Sequence, residues 1–95
     1  MPFTLPLPQQ LTKARWKVKI FDKENRETPH VTIIRGTEKW RVNLRTGEVM
    51  DATPPARAVN PLVLKAVHDS WELLKEQWDR IHPSNPVEGV EDADT

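Results

Sequence analysis

Glu38-Lys39-Trp40-Arg41-Val42-Asn43-Leu44-Arg45 alternates apolar and polar residues. Successive side chains of a β-strand point to opposite faces. The stretch therefore predicts a strand with Trp40, Val42 and Leu44 buried and Lys39, Arg41, Asn43 and Arg45 wet. Upstream, Arg15-Trp16-Lys17-Val18-Lys19-Ile20 has the same period of two. Between them His30-Val31-Thr32-Ile33-Ile34-Arg35 is β-branched at Val31, Thr32, Ile33 and Ile34, a third strand signal. Gly36-Thr37 and Thr46-Gly47 read as tight turns, the second leading to a short strand over 48–50. Turns this short join antiparallel neighbours, so residues 14–50 form a meander.

Beyond the Pro54-Pro55 loop the period becomes helical. Asn60 is a good N-cap, and Pro61 suits the first helical position, where its missing N–H costs nothing. Leu64, Val67, Trp71, Leu74, Trp78 and Ile81 then recur at spacings of three and four, a single apolar stripe on one helix over 61–82. Pro83 ends it. A sheet with one apolar face and a helix with one apolar stripe bury each other. The expected class is α+β: a three- to four-stranded antiparallel β-meander packed against one long C-terminal amphipathic helix. Residues 1–13, with Pro2, Pro6 and Pro8, read as an extended arm. Residues 14–83 are the single domain, and 84–95 an acidic, disordered tail.

A chain of 95 residues without cysteine has no disulfide, thiolate metal site or cysteine nucleophile. No apolar run reaches the length of a membrane span and no signal peptide opens the chain, so the expected location is cytoplasmic, with no membrane partner. The net charge is zero, but residues 1–50 carry ten Lys/Arg against five Asp/Glu, and residues 51–95 four against nine. Such segregation either holds the fold together or attracts a charged partner.

The outer sheet face collects Arg15, Lys17, Lys19, Lys39, Arg41 and Arg45, with His30 and Thr32 beside them. Cations on one sheet suit RNA phosphates; they also decorate ordinary solvated strands, or meet an acidic protein. His30 is a candidate general acid/base for phosphodiester cleavage, with Arg41, Arg45 and Lys19 holding the phosphate. A structural histidine bonded to a loop carbonyl is the alternative. His82 suits a structural role at a helix end. His68 and Glu72 share a helix face, but two ligands make no metal site; no metal and no cofactor are expected. Trp71, Leu74 and Trp78 exceed what a small sheet easily covers, which makes them candidates for a homodimer or partner interface.

The stretch Asp22-Lys23-Glu24-Asn25-Arg26-Glu27-Thr28-Pro29-His30-Val31, then Leu44-Arg45-Thr46-Gly47-Glu48-Val49, a Pro-Pro loop and a helix with Trp71 and Trp78 resembles a group of short bacterial proteins of unknown function. Such proteins are commonly encoded beside a small partner and regarded as toxin–antitoxin components. The resemblance covers residues 15–83 and singles out Pro29, His30, Gly47 and Trp78. In that group a second histidine often follows the first at i+2, where this chain has Thr32. The resemblance implies a module that binds RNA or a cognate small protein through the basic sheet face, with metal-independent ribonuclease activity as one form of it. A non-catalytic interaction module using the helix stripe is the alternative.

Overall fold

Gly36 has a positive φ of 61° and Thr37 does not, the pattern of a type II′ hairpin turn, which glycine enters without steric cost. In the computed structural model, which describes residues 2–22, 27–51 and 55–87, this turn joins β3 (His30–Arg35) to β4 (Glu38–Asn43). Strand β2 (Trp16–Ile20) lies on the other side of β3. The register sets Val18 opposite Ile33, Ile33 opposite Trp40 and Val31 opposite Val42. All five are buried, so the alternation read from the sequence became one apolar face. The fold is α+β, with an antiparallel sheet in the order β1-β2-β3-β4.

The first strand comes from the segment read as an extended arm, which lays Phe3, Leu5 and Leu7 against the core. β1 (Phe3–Thr4) pairs antiparallel with β2, and Leu5 N–H donates to the Val18 carbonyl at 2.9 Å. Proline is tolerated at such an edge because one row of donors is not needed there. A short helix follows, α1 (Gln9–Lys13), and both Leu5 and Leu11 join the core. The expected strand over 48–50 is reduced to one bridge, Val42 to Val49, with Met50 N–H donating to the Arg41 carbonyl at 2.7 Å.

The C-terminal helix is two helices, α2 (Pro61–Asp69) and α3 (Trp71–Ile81), broken at Ser70 (φ −108°, ψ 21°). Asn60 caps α2 as expected, its side chain accepting from Leu62 N–H at 2.8 Å. The break lets Val63 and Val67 of one segment and Leu74 and Trp78 of the other enter the same core; Leu64, Trp71 and Ile81 remain half-buried. Residues 84–87, expected to begin the tail, are instead pinned. Val87 is buried, Arg45 Nε donates to its carbonyl at 2.6 Å, and its N–H donates to Asp79 Oδ1 at 2.8 Å. The tail expectation for 88–95, and the loop residues 23–26 and 52–54, lie outside the described residues.

Candidate functional site

The sheet has two unlike ends. At one, β3 begins and β4 finishes, and this end holds His30, Arg41 and Arg45. His30 is fully buried. Its Nδ1 must donate to the Thr28 carbonyl at 2.7 Å, since a carbonyl only accepts. Its Nε2 lies 3.8 Å from Glu27 Oε1, and its ring packs 5.5 Å from that of Trp78. Trp78 also meets the His82 ring at 4.1 Å, tilted by 39°, and His82 donates Nε2–H to the Phe21 carbonyl at 2.7 Å. Trp78 itself donates to the Asn85 carbonyl at 2.7 Å, and Asn85 donates to the Glu27 carbonyl at 2.6 Å. Two histidines and a tryptophan thus fasten the helix end to the loops around the sheet. The expectation of His30 as an accessible acid/base is corrected: no substrate reaches a ring with no exposed surface. His82 is buried and structural, the role read for it from the sequence.

The arginines at this end are engaged too. Arg41 grips Asp51 with Nη2 to Oδ1 at 2.8 Å and Nε to Oδ1 at 3.2 Å, while its backbone N–H donates to Oδ2 at 2.8 Å. Glu27 Oε1 lies 3.8 Å from Arg41 Nη1. Those hydrogen bonds from Arg41 hold the Asp51 carboxyl below its ordinary value, since they favour its charged form over the opposing effect of burial. Arg45 spends its guanidinium on the Val87 and Pro86 carbonyls. Asp51 thus competes with any phosphate for Arg41, the expected clamp, whereas Arg45 is exposed and makes two hydrogen bonds to carbonyls.

The other end is open. Here β2 begins, β3 turns into β4 and α1 finishes. Lys13, Arg15, Lys17, Arg35 and Lys39 are all exposed there, and none forms an ion pair with a described residue. The helical cations differ: Lys65 pairs with Asp69, Lys75 with Glu72 and Arg80 with Glu76. Lys17 and Lys39 both stand opposite Ile34 in the register, so they share one patch of the outer face. Lys19 lies further along that face beside Thr32, which is only 4 % exposed. Arg35 lies over the Trp16 ring at 5.3 Å, and Trp16 in turn contacts Trp40 at 5.8 Å.

A groove of about 570 Å³ opens between Lys13 and Arg15 on one wall and Arg35, Gly36 and Glu38 on the other. A second groove of about 370 Å³ shares Ala14 and Arg35 with it and adds Arg57. Lys13, Arg35 and Arg57 were not among the residues expected from sequence. Arg35 has core-face parity with Ile33, and only the end of the strand lets it escape over Trp16. Lys13 enters through α1, an element that a proline-spaced segment does not announce.

The expected interface residues Leu74 and Trp78 are fully buried within the chain, so they are not available to a partner. Trp71 is half-buried, 3.9 Å from where a Cβ on Gly47 would lie, and His68 meets its ring edge-on. Among the described residues, no group of three His, Cys, Asp or Glu could hold a metal ion. No described helix is long and apolar enough to cross a membrane. No family model, curated protein or solved structure matches the chain.

Proposed function

We propose that the chain is an RNA-binding module of the toxin–antitoxin type that holds RNA without cutting it, working with a cognate small protein. The carrying observation is the set of exposed cations at one end of the sheet, Lys13, Arg15, Lys17, Arg35 and Lys39, which have no carboxylate partner among the described residues. Phosphates bound there release condensed counterions, which favours binding most at low salt. The surface has no exposed ring on which a base could stack, since Trp16 and Trp40 are buried. The contact is therefore to the sugar–phosphate backbone, with little sequence preference. The ribonuclease form is disfavoured because its acid/base residue, His30, is fully buried.

Fluorescence anisotropy with a labelled single-stranded RNA tests this. Binding is expected at low salt, and each phosphate contact removed should flatten the log–log salt slope by about 0.7. The double substitution Lys17→Gln/Lys39→Gln should weaken binding and flatten the slope; Lys65→Gln, on a helix, should not. RNA incubated with the protein in EDTA should stay intact. If low salt gives no binding, or Lys17→Gln/Lys39→Gln binds as the parent does, the reading fails.

A further inference from the structure

Arg15 is the one non-glycine residue with a positive φ, 73°, among those described. It follows Ala14, the C-cap of α1, and its N–H donates to the Thr12 carbonyl at 3.0 Å. Helices usually place glycine at this left-handed position, because a Cβ there crowds the backbone. The chain instead holds an exposed arginine in a disfavoured conformation, and that arginine lines the larger groove. Strain kept at a groove wall is a pointer to a ligand, to be tested against the geometry around it.

The opposite wall supports one. Arg35 is fixed by lying over the Trp16 ring, which leaves the in-plane N–H edge of a guanidinium available for an oxyanion. Lys13 adds a point charge from the last turn of α1. Three cations thus line one shallow groove, whose single acidic lining residue among those described is Glu38, across the register from Arg35 and not ion-paired with it. The volume lies within the range that holds small ligands, and no aromatic ring lines it to take a base.

We infer that this groove is a phosphate seat: Lys13, Arg15 and Arg35 hold one phosphate group of a bound RNA strand, with Arg15 kept in place of glycine for its charge. The inference rests on the RNA-binding reading above and narrows it to three residues and one chemical group. Lys17 and Lys39, together on the outer face of the same sheet end, then hold the strand where it leaves the seat, and Glu38 disfavours entry of a further anion.

Inorganic pyrophosphate is the probe, added to the full chain at constant ionic strength and followed by amide chemical shifts. Saturable shifts are expected at residues 13–15 and 35–38. Arg15→Gly is expected to weaken pyrophosphate by about tenfold, the loss of one charge-assisted contact, while its melting temperature stays level or rises. Pyrophosphate should also displace labelled RNA, which tells a strand phosphate from a seat used by free phosphate alone. Shifts of equal size on α2 and α3, or an Arg15→Gly chain that binds pyrophosphate as the parent does, would overturn the seat. RNA binding that survives Arg15→Gly but not Lys17→Gln/Lys39→Gln would overturn the seat and leave the wider reading standing. Saturable pyrophosphate binding without RNA retention would overturn the RNA-binding reading and leave the groove a site for free phosphate alone.

Discussion

Arg15 is the residue where a substitution that relieves backbone strain also removes a proposed phosphate contact. Its φ of 73° is one that glycine adopts freely and arginine does not. Arg15→Gly should therefore raise stability by up to about 1 kcal/mol, the αL penalty less the entropy glycine adds to the unfolded chain. Urea denaturation measures it; a clear loss of stability would mean the arginine side chain makes contacts the fold needs. Asp51 gives the pH counterpart. Arg41 holds its carboxyl below 3.8, the ordinary value, so the folded state binds its proton less readily than the unfolded state does. The stabilisation is present above the unfolded value and is lost as pH falls through the lower folded one. Comparing the parent with Asp51→Asn between about pH 6 and pH 2 should show a stability difference that shrinks in acid. A difference independent of pH would show that the charge of Asp51 is not what matters.

At the scale of elements, most of the fold was legible. Strand β3 was read to its last residue, because four β-branched residues and a glycine turn leave few alternatives. The Asn60 cap was read as well, and Asn60→Ala should cost about 1 kcal/mol in the same denaturation measurement. No change there would mean that Pro61 alone starts α2. Two elements escaped. β1 is a two-residue strand of Phe3 and Thr4 and carries no periodicity of its own; it exists because β2 offers an edge. The break at Ser70 is likewise invisible in a stripe that runs unbroken from Leu64 to Ile81. On either side of it Val63 and Val67, then Leu74 and Trp78, enter one core.

Across the whole molecule the cations divide by end, and the two ends should respond differently to substitution. Lys17→Glu/Lys39→Glu should abolish RNA retention while changing stability by no more than about 0.5 kcal/mol, as expected for exposed sites. Arg41→Gln at the other end should lower stability by about 1 kcal/mol through its lost contacts to Asp51 and leave RNA retention intact. Anisotropy and thermal melting on the same samples separate the two. An Arg41→Gln chain that melts normally but no longer holds RNA would place the binding surface at the wrong end.

The alternation of Trp16, Val18, Ile20, Trp40 and Val42 by itself determined which face of the sheet is dry, since side-chain direction follows from position along a strand. The α+β class followed from that face and the helical stripe. What the sequence left open was which polar residues remain at the surface. His30, Arg41 and Arg45 look as available in sequence as Lys17 and Lys39. Only the tertiary structure brings Trp78, Asp51 and Val87 to them, across separations of up to 48 residues that periodicity does not encode. Only the tertiary structure, too, brings Lys13 and Arg35 together around Arg15, because a groove belongs to several elements at once.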